Sequence, residues 1–246
     1  MSFTFLQNLI SLASAGAGAL LAVSLGVSHR QLCALISFAA GALIATSLFH
    51  IVPEASHFLS WPLVLLALAS GYFLFFFVSR WVFHVCPACA ASHFDEQTAS
   101  KIGRIAFLLV VAFGIHCTMD GLAMALGGEL GQRVDRSIFL ALTIHKFPEG
   151  LALAALLMRS GFKRFRSFFL AGALEALTVF GWFAGVFLLR GHAIGAWFYL
   201  LLVHVGGNFI YLALHAVLGE SREHELGYVF SFFLAGIATV GLLTRF

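Results

Sequence analysis

Between short polar breaks this chain stays apolar for about twenty residues at a stretch, eight times over. The runs lie near 3–27, 32–57, 61–83, 104–127, 136–159, 166–190, 193–217 and 226–244. Each is close to the ~20 residues that a helix needs to cross ~30 Å of hydrocarbon. The runs are continuous rather than alternating, which argues against a transmembrane β-barrel. Of the 246 residues 61% are hydrophobic and 10% charged, more apolar surface than a water-soluble domain of this size can cover. The expected fold is therefore all-α and integral to the membrane. Eight transmembrane helices form a single domain over 1–246, with a polar loop at about 84–103. The first run is long enough to span and no charge precedes it, so no cleavable leader is expected.

Charge placement sets the expected orientation. Nine of the 14 Lys and Arg fall in loops after odd-numbered spans and four on the opposite side, with Lys146 inside a span. That bias puts both termini outside the cytoplasm and the 84–103 loop within it, in a plasma or bacterial inner membrane. The basic residues form no patch, so the expected partners are lipid and small ions rather than nucleic acid. The four cysteines (Cys33, Cys86, Cys89 and Cys117) do not resemble a secreted disulfide framework.

Ionisable residues within the spans carry the chemistry, because each costs roughly 2.5–3.5 kcal/mol at bilayer depth unless it is partnered or hydrated. His116 and Asp120 are four apart in the fourth run, as are His145 and Glu149 in the fifth, and Glu175 sits in the sixth. Four residues is one helical turn, so each pair shares a face. At 1.5 Å per residue, His116, His145, Glu149 and Glu175 all lie roughly 14–20 Å deep, near the bilayer midplane. Imidazole with carboxylate suits a divalent transition metal: zinc first, with iron, manganese, cobalt, nickel and cadmium accepted by the same donors. No organic cofactor is expected. Pro148, between His145 and Glu149, cannot donate to the Ile144 carbonyl, and Pro53 stands likewise to Phe49 beside His50 and Glu54. Gly121 and Gly150, after the carboxylates, allow close backbone approach.

Residues nearer the surfaces suggest a path. LFHIVPEA at 48–55 resembles ALHAVLGES at 213–221, in spans of opposite polarity. Helices 1–3 and 6–8 are therefore expected to form an inverted repeat around helices 4 and 5. His50 and Glu54 fall near the outer face, lining a vestibule or binding metal transiently, and His215 and Glu220 near the inner one. His204 and Asn208, also four apart, read first as packing residues and second as pathway residues. In the loop, His84, Cys86, Cys89 and His93 have zinc-like spacing but also suit a simple turn.

These motifs resemble the ZIP (Zrt-, Irt-like protein) family of divalent metal transporters, over essentially the whole chain. The helix-4 pattern of His followed by Asp-Gly is similar to His116 through Gly121. The helix-5 pattern ending Pro-Glu-Gly is similar to His145 through Gly150. The helix-6 Glu looks like Glu175, and His-x-x-Pro-Glu-Ala like His50 to Ala55. The resemblance implies import by an elevator-like alternation, a homodimer, a main metal site from His116, His145, Glu149 and Glu175, and a second site at Cys117, Asp120 and Lys146. Here the chain departs from the pattern, since many relatives carry Asn or Asp where it has Lys146. An ammonium there would take part of the second ion's place in charge and space, leaving a single-metal site with Cys117 as an optional soft ligand. The rival class is an intramembrane zinc metallohydrolase, which would need a nucleophilic water, a general base and a substrate cleft. No His-Glu-x-x-His motif is present.

Overall fold

The computed structural model describes residues 2–25, 28–82, 102–129, 132–159, 161–189 and 195–244, and every regular element among them is helical. Of the loop expected at about 84–103, residues 84–101, with His84, Cys86, Cys89 and His93, lie outside the described residues, and 102–103 already belong to a helix. In chain order the helices are α1 (Ser2–Ser24), α2 (His29–Thr46), a π-helical turn (Ser47–Ile51), α3 (Val52–Ser56), α4 (Trp61–Val82), α5 (Ile102–Gly127), α6 (Gln132–Arg159), α7 (Arg164–Glu175), α8 (Leu177–Leu189), α9 (Ala196–Glu223) and α10 (Leu226–Leu243).

Local chemistry explains the departures from the expected boundaries. α2 starts at His29 because Ser28 and Gln31 form a capping box: the Gln31 amide donates to Ser28 Oγ (3.3 Å), and the Ser28 amide donates to Gln31 Oε1 (3.1 Å). Pro53 cannot donate to a helical carbonyl, and the chain meets it with a wide turn in which the Val52 amide reaches Ser47 O. α6 runs unbroken through Pro148. α9 continues to Glu223, past the expected end at 217, so Glu220 lies on a helical face rather than in a loop.

Among the described residues six helical stretches are apolar and long enough to cross a membrane: Phe3–Ser24, His29–Ser56, Val134–Met158, Arg164–Leu189, Ala196–Glu223 and Leu226–Leu243. Trp61–Phe77 is a shorter apolar helix. The molecule is also inverted in polarity. Phe3, Leu65, Phe77 and Phe187 are exposed, whereas His116, Asp120, Lys146, Glu149 and Glu175 are buried. That distribution suits a hydrocarbon surround and is wrong for water.

Four crossings set the helix arrangement, and each rests on two glycines facing each other's helix. Gly18 of α1 and Gly150 of α6 abut the backbones at Phe147 and Ala15; Gly121 of α5 and Gly181 of α8 abut those at Thr178 and Thr118. Gly41 of α2 pairs with Gly236 of α10, and Gly71 of α4 with Gly207 of α9. A Cβ at any of these positions would meet a backbone carbonyl, which cannot swing aside as a side chain can. Small residues thus hold the helices close where no hydrophobic force between them exists. Gly41→Leu is expected to destabilise the fold by at least about 1–3 kcal/mol, seen as an earlier melt in detergent. Gly227→Leu, with nothing within 4 Å of its added Cβ, is the tolerated control. Equal melting of the two variants would contradict the close crossing.

Candidate metal centre

Three helices deliver the central cluster. α5 contributes His116, Cys117 and Asp120, α6 contributes His145, Lys146 and Glu149, and α7 ends at Glu175. The break after Glu175 is a one-residue turn at Ala176, whose amide still bonds Gly172 O (2.9 Å) before α8 starts at Leu177. The glycine crossings at Gly121 and Gly150 draw α8 onto α5 and α1 onto α6, one residue past each carboxylate.

The two expected His–carboxylate pairs face each other. His116 Nε2 lies 2.9 Å from Glu149 Oε1 and 3.5 Å from Asp120 Oδ2, while His145 Nε2 lies 3.6 Å from Glu149 Oε2. The two imidazole Nε2 atoms are 3.1 Å apart. Two ring nitrogens this close need a shared proton or a cation between them, since two lone pairs repel. The donor atoms of His116, Asp120, His145 and Glu149 fall within 4.8 Å of one another, as do those of Cys117, Glu149 and Glu175.

Lys146 sits in the second of these groups. Its Nζ is 2.8 Å from Asp120 Oδ2 and 2.9 Å from both Glu149 Oε2 and Glu175 Oε2. It also donates to Cys117 Sγ at 3.3 Å, and the Cys117 thiol approaches Glu175 Oε2 at 3.7 Å. Lys146 is 1% exposed, so it does not snorkel to an interface. One ammonium thus meets an oxygen from each of three buried carboxyl groups. Asp120 Oδ1 and Glu175 Oε1 are buried without a hydrogen-bond partner among the described residues. Buried oxygens left without a partner are costly in low dielectric, and a divalent cation would supply one.

Aromatic walls close the site. Phe75 and Phe113 each stand 6.2 Å from the His116 ring, and Lys146 Nζ lies 6.0 Å over Phe113. A cavity of about 10 Å³, near the lower limit for one water, adjoins His145, Pro148 and Glu149. Its other walls are small and aliphatic residues of α2 and α9, among them Ile36, Ala40, Ala213 and Ala216.

The remaining expected residues lie elsewhere. His50 is buried on the π turn, its Nε2 2.9 Å from Thr244 Oγ1, and Glu54 is half-buried one turn on. His204 Nδ1 meets Ser70 Oγ at 2.8 Å. Asn208 is buried with neither amide atom partnered among the described residues. His215 Nδ1 lies 3.1 Å from Tyr211 O, its ring stacked on Tyr211. Glu220 is buried beside Cys33 and His224, two residues that sequence reasoning did not place in any site. Their signal was weak: Cys33 looks like a small packing residue, and His224 falls in a polar break.

The ZIP zinc transporter family model matches residues 88–244, which include every residue of the central cluster. The chain is also similar to the metal cation symporter ZIP14 of Xenopus tropicalis, 28% identical over 152 residues, 60% of this chain and 32% of the relative. It thus spans about a third of that relative's length.

Proposed function

The chain belongs to the ZIP zinc transporter family, and on that premise we propose that it carries a divalent transition metal, zinc first, into the cytoplasm by alternating access. The observation that carries this reading is the convergence of ligand atoms from His116, Asp120, His145 and Glu149 within 4.8 Å of one another, all buried. Zinc accepts imidazole nitrogen and carboxylate oxygen together, in tetrahedral sites with one position left for water. Iron, manganese, cobalt, nickel and cadmium are the competing cargoes. Lys146 makes the centre a single-metal site, its ammonium standing where a second ion would otherwise rest.

The whole chain acts as one transmembrane domain of eight spans, with α4 and α5 adding to the six long apolar stretches. The helix pairings support an inverted repeat. Exchanging α1 with α7–α8, α2 with α9, α4 with α10 and α5 with α6 turns the α1–α6 crossing into α8–α5, and α2–α10 into α9–α4. Both termini lie outside the cytoplasm, and two copies pair as a dimer in a plasma or bacterial inner membrane. Metal enters past His50 and Glu54 and leaves past His215 and Glu220, with His204 and Asn208 flanking the route. The hydrolase alternative is not favoured. Lys146 engages all three carboxylates that might serve as general base, and the adjoining cavity is far too small for a scissile bond.

The test is zinc uptake into proteoliposomes against competing divalent metals. Saturable zinc influx above empty vesicles is the expected result, and vesicles no more permeable with protein than without it would end the transport reading.

A further inference from the structure

A second set of metal-ligand types lies at the far end of the seam between α2 and α9. Cys33 is fully buried, Glu220 is 1% exposed, and His224 lies just past the end of α9. One ligand atom from each falls within 4.8 Å of the others. Among the described residues neither Glu220 oxygen has a nitrogen or oxygen hydrogen-bond donor. His224 Nδ1 approaches Glu220 Oε2 at 3.4 Å, an ion pair when the imidazole is protonated. The Cys33 thiol is a weak donor that meets the Glu220 carboxylate and, at 4.0 Å, Ser37 Oγ on its own helix. A buried carboxylate whose neighbours are a weak thiol donor and one imidazole is costly, and a cation among the three ligand types would offset that cost.

His29 completes the set. Its Nδ1 lies 3.1 Å from His224 Nε2, and the two rings stack at 4.7 Å. When His224 Nε2–H donates to His29, His224 Nδ1 presents its lone pair towards the Glu220 carboxylate. In that tautomer a cation between them relieves the repulsion, as a proton on His224 Nδ1 does when no metal is bound. An outer partner that fixes the tautomer of a ligating imidazole in this way is the usual companion of a metal site. The nearby Arg30 guanidinium is turned away, 4.7 Å over the Tyr228 ring, while Tyr228 O–H donates to Arg30 O at 3.1 Å.

We propose that Cys33, Glu220 and His224, steadied by His29, form a second binding site for a thiophilic divalent cation, Zn²⁺ or Cd²⁺. The donor set of one thiolate, one carboxylate and one imidazole leaves a fourth tetrahedral position for water. Binding displaces the Cys33 thiol proton to solvent, and the sulfur then bonds the metal as thiolate. The site is softer than the midplane centre, where the one cysteine is engaged by Lys146. Its position follows from helical register. Cys33 stands one turn before Ile36, and Glu220 one turn beyond Ala216, both of which line the small cavity beside His145 and Glu149. On the transport reading above, this is the last station before release; the binding itself does not depend on that reading.

Cobalt is the probe. In full-length protein with Cys86→Ser, Cys89→Ser and Cys117→Ser, Cys33 is the one thiol left. Adding Co²⁺ is expected to give a thiolate-to-cobalt charge-transfer band that saturates at one ion. Glu220→Gln and His224→Ala should each weaken the midpoint at least about tenfold, and His29→Ala by a similar factor. The band should survive Glu149→Ala. No band on cobalt addition, or a midpoint unmoved by both Glu220→Gln and His224→Ala, overturns the proposal. Failure of the transport reading would instead appear as absent zinc flux with this band intact.

Discussion

Replacing Lys146 with alanine is expected to add one zinc ion per chain and to lower the melting temperature of the metal-free protein. The ammonium lies within 2.9 Å of an oxygen from each of Asp120, Glu149 and Glu175. Removing it leaves those three oxygens facing one another across about 6 Å or less in a buried, aromatic-walled space. Deleting one partner of a buried ion pair costs about 3–5 kcal/mol, because the orphaned charge stays behind. The vacated position retains the donors Cys117, Asp120, Glu149 and Glu175, which suit a second divalent ion. Saturating zinc should therefore restore the melting temperature to near that of the unmodified protein, by mass action on the folded state. Metal analysis of the two proteins side by side reads the difference directly, whatever other sites the chain carries. A variant that gains no zinc, or that is as stable without metal as its parent, would mean that Lys146 is not the standing cation.

Glu149→Ala is expected to abolish zinc uptake, by about 100-fold or more. Loss of a partner that merely orients a ligand costs 10–100-fold in metal affinity, and Glu149 is placed as a ligand itself. It is the one residue shared by both central donor groups, and it contacts His116 at 2.9 Å, Lys146 at 2.9 Å and His145 at 3.6 Å. Glu149→Gln keeps the shape while removing the charge, which separates a lost metal site from a misfolded helix. Both variants should fail in the proteoliposome assay, with the glutamine variant still folded by its melting profile. Uptake within about tenfold of the unmodified protein for either one would remove Glu149 from the transport step.

The central cluster was legible because its information is local. His116 with Asp120 and His145 with Glu149 are one turn apart, so a helix places each pair on one face without any knowledge of the fold. Similar depth in neighbouring spans then suggested that the pairs meet, and an ionisable Lys146 at that depth required an acidic partner. The number of its partners was not legible. Three carboxylates around one ammonium depend on how α5, α6 and the α7 break converge, which glycine crossings decide. Those crossings are visible in the sequence only as an abundance of small residues; which glycine faces which is a tertiary fact. Cys33, Glu220 and His224 escaped for the same reason. Cys33 and Glu220 come from helices nearly 190 residues apart in the chain, and an expected helix end at 217 hid the register of Glu220. His50 likewise found its partner in Thr244, at the opposite end of the sequence.

Anomalous X-ray scattering at the zinc edge, from zinc-loaded crystals of the unmodified protein, tests the account most directly. It predicts one peak at the centre of the molecule, within bonding distance of His116 Nε2, His145 Nε2 and Glu149, with the Lys146 side chain filling the adjoining position. Two zinc peaks in that cluster, or none, would contradict it.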